Sequence, residues 1–219
     1  MAESTSSQES VISRIADLLR ARVIDGELLP GAKLSQERVQ DSLGVSRSTL
    51  REAMQVLIRE RLLVHELGRG FFVRELTAED ISDLYRVRRI VECAAVQRIE
   101  VLLPARLRAL RGAIEEGHAG AEACDWGRVA AASIRFHEAL VALAGSKRLD
   151  VLITGILAEF RLAYALMSDT QAFHESFLKR HSDIADAVSA GDTELAAALL
   201  DRYLADAEET LLARYPVPR

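Results

Sequence analysis

An interruption in a helical pattern is the feature that most constrains the fold of this chain. Apolar residues recur at three- and four-residue steps through most of the sequence, as they do on the buried face of an amphipathic helix. After Arg61 this spacing gives way to two short apolar runs, Leu62–Glu66 and Phe71–Arg74, on either side of Gly68-Arg69-Gly70. Two such runs with a glycine-flanked connection predict a β-hairpin. The sequence therefore predicts a mainly α-helical protein that contains one small hairpin.

Three helices are predicted before the hairpin. The first covers Ser10–Asp25 and ends at Gly26. Ser35 and Ser46 are the predicted N-caps of the second and third helices, because a serine hydroxyl can accept a hydrogen bond from a free N–H group of the first turn. Three helices and a hairpin within about 65 residues are typical of a winged helix-turn-helix domain, which we assign to residues 8–75.

A second, all-helical region follows. Helical spacing resumes at Thr77, which with Asp80 predicts a capping box. About six helices are expected, and their connections are so short that neighbouring helices must be antiparallel. The first lies within Thr77–Leu103, and the others cover about 104–116, 125–144, 147–167, 171–190 and 192–213. We assign residues 77–213 to this antiparallel bundle.

Composition narrows the class of protein. Apolar residues make up 49% of the chain and charged residues 28%, which is typical of a globular domain in water. No apolar run approaches the roughly 18 residues of a membrane span, and MAESTSSQES lacks the basic and apolar segments of a signal peptide. Cys93 and Cys124 are not spaced like a metal clamp or a disulfide framework. We therefore expect a cytoplasmic protein with no membrane partner.

The acidic charge lies in the second region. Residues 1–76 contain 11 Lys/Arg and 11 Asp/Glu, so the remainder carries 28 − 11 = 17 basic and 33 − 11 = 22 acidic residues and with them the whole net charge of −5. An acidic chain does not bind nucleic acid through its overall charge. A local basic face on the first domain remains compatible with DNA binding.

The first domain resembles the GntR family of bacterial transcription regulators. The resemblance runs through LSQERVQDSLGVSRSTLREAMQVLIRERLLV and the wing GRGFFV. The residues that carry it are Leu43–Arg47, Leu50–Ala53, Leu57, Leu62-Leu63 and Gly68–Gly70.

The second region resembles the C-terminal ligand-sensing domain of the FadR subfamily of the same family. The matching phrases are Asp83–Glu92, Phe136–Leu140 with Ala144-Gly145, and His181–Ile184 to Gly191-Asp192. The resemblance covers about residues 10–213. It implies a winged helix that binds a palindromic operator as a homodimer, and a helical domain that senses a small metabolite and supplies much of the dimer interface. A repressor is the expected role.

Two other functions stay open at this point. One is a constitutive architectural DNA-binding protein, and the other is an enzyme with a metal site in the helical bundle. The sequence contains no glycine-rich phosphate loop, no G-x-S-x-G and no H-E-x-x-H. We therefore expect no enzymatic activity.

The third helix is expected to read DNA. Arg47, Thr49 and Arg51 lie near its N-terminal end, which in this fold faces base edges in the major groove. An arginine fork matches guanine N7 and O6, and Ser46 can bind a phosphate. The alternative is that Arg47 and Arg51 are solvated, with Arg51 paired to Glu37 or Glu52.

Further DNA contacts are expected from the second helix and the wing. Many relatives carry a basic residue at the position of Glu37, whereas this chain has an acid there and a basic residue, Arg38, beside it. Since neighbouring helical residues point about 100° apart, a phosphate contact from this helix is in question. Arg69, with Gly70, can enter the minor groove or remain an exposed wing arginine.

The resemblance also implies an interior site in the helical domain. Metal-binding relatives use an aspartate and three histidines, which correspond here to Ser133, His137, His181 and Tyr203. Because two of the four ligands are replaced, we expect no cofactor and at most a weakly held zinc or nickel ion on His137 and His181.

The alternative for the same interior is an organic pocket. Ser133, His137, His181 and Tyr203 would then offer hydrogen bonds to an effector in a mostly apolar cavity. Arg88 would either clamp an effector carboxylate or form an ion pair with Glu92, four residues later on the same helix face. Ser133 and Tyr203 can bind either a carboxylate or a hydroxyl group of the effector, so a small-molecule effector is expected, with a carboxylate as one candidate.

Overall fold

The computed structural model describes residues 2–24, 26–167 and 169–215, and it confirms a mainly helical fold with a small sheet. The helices of this described part are α1 (Ala2–Ile24), α2 (Gln36–Leu43), α3 (Arg47–Arg59), α4 (Ala78–Gln97), α5 (Pro104–Glu122), α6 (Trp126–Ala142), α7 (Lys147–Ala165), α8 (Thr170–Ser189) and α9 (Thr193–Arg214). Its strands are β1 (Lys33–Leu34), β2 (Leu63–Glu66) and β3 (Gly70–Val73).

Two compact units make up the fold. One contains the chain up to Leu76 together with Arg161–Leu166, and the other contains Thr77–Phe160 and the chain from Met167 onwards. Within the described ranges, every helix falls short of the length and apolarity that crossing a membrane requires.

The first unit is a winged helix-turn-helix. Its strands are antiparallel in the order β1-β3-β2, with β3 in the centre. The predicted hairpin pairs Leu63 with Val73 and Glu66 with Gly70. The sequence did not predict β1, because two residues are too few to show a strand period. β1 adds Lys33 to the sheet beside Phe72.

Caps and packing place the two helices of the turn. The Ser35 hydroxyl accepts from the backbone N–H of Arg38, and Ser46 accepts from that of Thr49 at 3.1 Å, so both predicted N-caps are confirmed. Gly44 between the helices has φ 62°, a left-handed conformation that glycine adopts without strain. The inner face of α3 is buried through Leu50, Ala53, Met54 and Leu57. This leaves the opposite face of α3 in solvent.

The second unit consists mainly of the helices from α4 to α9. The capping box is present, since Thr77 Oγ1 accepts from Asp80 N at 3.1 Å and Asp80 Oδ2 accepts from Thr77 N at 2.9 Å. Helix α5 packs on α6, while α4 and α8 both pack on α9. The six predicted helices are therefore confirmed.

Two helices differ from the prediction in their ends. α1 begins at Ala2 rather than Ser10, because nothing breaks the helix beyond its apolar stripe; its predicted end at Asp25 lies outside the described residues. α5 continues to Glu122 instead of ending near residue 116. Gly117 lies inside α5 and does not end it. Its role is close packing, since a β-carbon at this position would lie 3.4 Å from the Leu178 side chain.

Two of the three glycines of α5, Gly112 and Gly120, give a prediction about packing. A β-carbon at Gly120 would lie 3.0 Å from Val129 Cγ2 and 3.2 Å from its backbone nitrogen. We expect Gly120→Ala to separate α5 from the start of α6 and to lower the free energy of unfolding by about 1–3 kcal/mol. Gly112→Ala is the matched control, because nothing lies within 4 Å of that position. It should stabilise by about 0.5–1 kcal/mol through helix propensity. Urea unfolding of both variants measures the difference, and equal midpoints would contradict it.

Candidate functional site

The exposed face of α3 presents two arginines. Arg47 and Arg51 lie one turn apart at the start of the helix, and both are exposed. No carboxylate among the described residues lies within ion-pair distance of either one, so the alternative pair of Arg51 with Glu37 or Glu52 is not formed. Both guanidinium groups are available to a ligand outside the protein.

The hydroxyls beside these arginines are hydrogen-bonded to each other. Ser46 Oγ lies 2.7 Å from Thr49 Oγ1 and 2.9 Å from Ser48 Oγ. Ser46 is exposed and Thr49 is half-buried. Ser46 therefore caps α3, whose N-terminus carries the positive end of the helix dipole.

The wing places a third arginine in solvent. Arg69 lies in the turn between β2 and β3, forms an ion pair with Glu66, and has a side chain that is 69% exposed. Its guanidinium lies 5.1 Å from the centre of the Phe72 ring, and Lys33 Nζ lies 5.9 Å from the same centre. Cation–π contacts of this kind hold both cations near one ring.

A groove brings these elements together. It has a volume of about 750 Å³ and lies between the start of α2, the start of α3 and the wing. Of the predicted DNA contacts it contains Arg38, Arg47, Arg69 and Gly70, whereas Ser46, Thr49 and Arg51 lie outside its lining. Lys33 joins the groove. Lys33 was not predictable from the sequence, because its position depends on the pairing of β1 with β3.

The charge of this groove is positive. Four cations, Lys33, Arg38, Arg47 and Arg69, line it together with one acid, Glu37. Glu37 lies in the first turn of α2, where a carboxylate stabilises the helix N-terminus. A basic groove beside an exposed helix N-terminus is suited to binding nucleic-acid phosphates.

The second unit contains a buried polar cluster. Arg88 and Glu92 are 2% and 0% exposed, and Arg88 Nε lies 2.6 Å from Glu92 Oε1. The other carboxylate oxygen lies 2.6 Å from His137 Nδ1. The ion pair of Arg88 with Glu92 that the sequence offered as an alternative is thus present.

The Tyr203 phenol lies between two imidazoles. Its oxygen is 3.0 Å from His181 Nε2 and 3.4 Å from His137 Nε2. The rings are held by packing, since Phe136 stacks on His181 at 4.1 Å and Phe177 meets Tyr203 edge-on at 5.3 Å. Four helices, α4, α6, α8 and α9, therefore meet at this cluster.

Burial sets the protonation of the cluster. Burial alone would raise the pKa of Glu92, but Arg88 and His137 bring it below the ordinary glutamate value. Burial lowers the pKa of His137 in spite of Glu92, and it lowers the pKa of His181 still further. Burial raises the pKa of Tyr203. At neutral pH the cluster therefore contains one ion pair, Arg88 with Glu92. The side chains of His137, His181 and Tyr203 beside it are uncharged.

The interior next to this cluster is almost filled. A cavity of about 10 Å³ is lined by Ser133, His174, Phe177, His181 and apolar neighbours. That volume matches one water molecule. His174, which is 3% exposed, is buried at this cavity.

These residues do not fit a divalent metal ion. The described residues contain no group of three or more His, Cys, Asp or Glu side chains arranged to hold one. The phenol of Tyr203 occupies the point on which both imidazole Nε2 atoms converge. Glu92, the nearby carboxylate, is engaged by Arg88 and His137.

The buried histidines predict a loss of stability in mild acid. Burial lowers the pKa of His174 to about 4, so below pH 6.5 the unfolded chain binds a proton that the folded chain does not. The free energy of unfolding must then fall as the pH drops from 6.5 towards 4, by about 2 kcal/mol at pH 5 from His174 alone. His137 and His181 act with the same sign. Urea unfolding at pH 7 and pH 5 measures this loss. Between the two pH values the free energy of unfolding should decrease less for His174→Gln than for the control His118→Gln, which alters an exposed histidine. Equal decreases in the two variants would contradict the lowered pKa of His174.

Comparison with known proteins identifies the family. Residues 11–73 match the bacterial regulatory proteins of the gntR family, and residues 83–206 match the FCD domain. The chain is 30% identical over 185 residues to the HTH-type transcriptional regulator YdhC of Bacillus subtilis, covering 81% of this chain and 80% of that one. It is 28% identical to a protein named as a D-xylose utilization operon transcriptional repressor from Paenarthrobacter nicotinovorans, covering 90% and 86% of the two chains.

Among solved structures, a GntR regulator from Rhodococcus sp. RHA1 superposes with a TM-score of 0.87 at 44% identity, covering 94% of this chain and all of that one. A winged helix-turn-helix joined to a helical sensor domain defines a class of transcription regulators. This chain belongs to the GntR family, with a C-terminal FCD domain as in the FadR-like subfamily. The members of this family are transcription regulators rather than enzymes, in agreement with the prediction.

Proposed function

We propose that the protein binds a palindromic operator as a homodimer and represses transcription until a small metabolite binds its helical domain. The observation that carries this proposal is the basic groove between α2, α3 and the wing, with the unpaired arginines of α3 beside it. In this proposal residues 8–75 bind DNA and residues 77–213 sense the metabolite and dimerise, in the cytoplasm.

The groove supports contacts of two kinds. Arg47 and Arg51 project from the N-terminal turns of α3 and can reach guanine edges in the major groove. Arg38, Lys33 and Ser46 lie where they can bind phosphates, and Arg69 with Gly70 can reach the minor groove. One such unit offers few base contacts, so a two-fold pair on a symmetric operator is the arrangement that provides specificity.

The names of relatives support repression by a metabolite-controlled regulator. Besides the D-xylose repressor, gluconate operon transcriptional repressors of Bacillus licheniformis and Bacillus subtilis are 34% and 33% identical to 42% of this chain. We propose Ser133, His137, His181, Tyr203 and Arg88 as the surroundings of the effector site. We also propose that effector binding does not depend on a metal ion, because Ser133 and Tyr203 replace two of the expected ligands.

Assembly and effector response test the proposal together. Light scattering of the full chain should give twice its 24.1 kDa mass, and titration of a selected operator should give two chains per duplex. A monomer both free and on DNA would contradict it.

Sugars and sugar acids should then be screened for release of the operator in the presence of EDTA. Release by one compound supports a sensor, whereas a chelator that abolishes release would show that a metal is required. An operator complex that no metabolite dissociates favours the architectural alternative.

A further inference from the structure

Within the described residues, the cavity beside this cluster can admit a ligand only if a side chain is displaced. Its cavity of about 10 Å³ is too small for any metabolite. The neighbouring polar group that bridges two histidines is the Tyr203 phenol, which is 3% exposed. The hydrogen bonds that an incoming ligand must replace are therefore those of this phenol.

The directions of these hydrogen bonds follow from Glu92. A carboxylate only accepts, so His137 donates its Nδ1–H to Glu92 Oε2 across 2.6 Å. A neutral His137 then has a lone pair at Nε2 and can only accept there. For both contacts to be hydrogen bonds, the phenol O–H must donate to His137 Nε2 across 3.4 Å, and the phenol oxygen must accept from His181 Nε2–H across 3.0 Å. The site thus presents an acceptor at His137, a donor at His181 and the Ser133 hydroxyl beside the phenol, and the hydroxyl of a ligand can take the place of the phenol among them.

The charge of the cluster is already balanced. The guanidinium of Arg88 is bound to Glu92 at 2.6 Å, and both groups are buried. Arg180 also lies against the phenol ring, 5.6 Å from its centre, and it pairs with Asp206 at 2.8 Å. A carboxylate in this interior would meet the lone pair of His137 and would lack a cation of its own, and an unpaired buried charge is strongly unfavourable.

We propose that this site takes a neutral, hydroxyl-bearing molecule whose hydroxyl replaces the Tyr203 phenol, and that Glu92 excludes carboxylates by fixing the donor of His137 and neutralising Arg88. This inference rests on the proposed sensing role of the helical domain. The sequence left open whether the effector carries a carboxylate or a hydroxyl group, and the pairing of Arg88 with Glu92 selects the hydroxyl.

Three probes of similar shape test the selectivity directly. Tyr203→Ala in the full chain removes the phenol and leaves space for a small ring. The variant can be titrated with 4-methylphenol, para-xylene and 4-methylbenzoate by calorimetry and thermal shift. We expect 4-methylphenol to bind at least about tenfold more tightly than para-xylene. We expect 4-methylbenzoate to bind about a hundredfold less tightly than 4-methylphenol. The unaltered protein is the control: a probe must first displace the phenol there, so 4-methylphenol should bind it more weakly than it binds the variant.

Two results would overturn the proposal: 4-methylbenzoate binding as tightly as 4-methylphenol, or none of the probes binding to the variant. If Tyr203→Ala does not fold, nitrogen-15 NMR of the imidazoles in the unaltered protein decides instead. His137 should carry its proton on Nδ1 and His181 on Nε2, and the opposite tautomer at His137 would overturn the assignment. None of these measurements involves DNA, so a failure to bind an operator would be a separate result.

Discussion

Replacing both Arg47 and Arg51 with alanine is expected to weaken operator binding by about 2–6 kcal/mol, since each base-reading arginine contributes about 1–3 kcal/mol. Both side chains are exposed at the start of α3, and neither is engaged by a carboxylate among the described residues. Their loss should therefore leave the fold intact and remove contacts to DNA. Fluorescence anisotropy at fixed salt concentration measures the change.

The matched control for this variant removes two positive charges elsewhere. Arg59 at the end of α3 and Arg98 after α4 are both exposed and lie outside the groove. Arg59→Ala/Arg98→Ala should change operator affinity only slightly, through overall charge. Equal effects of the two double variants would mean that general charge, rather than the face of α3, determines binding.

The second large effect concerns the buried ion pair. Glu92→Gln leaves the Arg88 guanidinium in the interior without its counter-charge and should lower the free energy of unfolding by about 3–5 kcal/mol. The exposed pair of Arg89 and Asp201, at 2.7 Å and with side chains that are 40% and 47% exposed, provides the control. Asp201→Asn should cost less than about 1 kcal/mol.

A double substitution separates the ion pair from packing. Arg88→Met with Glu92→Leu removes both charges and keeps much of the volume, so it should recover most of the stability lost in Glu92→Gln. Urea unfolding of the four proteins gives the comparison. A double variant as unstable as Glu92→Gln would contradict an origin in uncompensated charge.

Features set by local hydrogen bonds were predictable from the sequence. The N-caps Ser35 and Ser46 and the capping box of Thr77 depend on groups three residues apart. The pair of Arg88 with Glu92 depends on a four-residue step along one helix. Such contacts form wherever the helix forms, because the helix itself brings the groups together.

Features set by packing between distant elements were not predictable in the same way. β1 exists through its pairing with β3. The phenol of Tyr203 reaches His137 across 66 residues of sequence and His181 across 22. The sequence placed these side chains in one interior through a family resemblance, but it could not show that they close on one another. Nor could it show that Glu92 engages His137 from another helix.

Selection of random DNA duplexes with the full chain, followed by sequencing, tests directly whether the basic groove of the winged unit reads a symmetric operator. We expect enrichment of an inverted repeat whose half-sites lie about one helical turn apart, and the same selection with Arg47→Ala/Arg51→Ala should lose the repeat. Enrichment of no sequence, or of the same inverted repeat by the double variant, would contradict it.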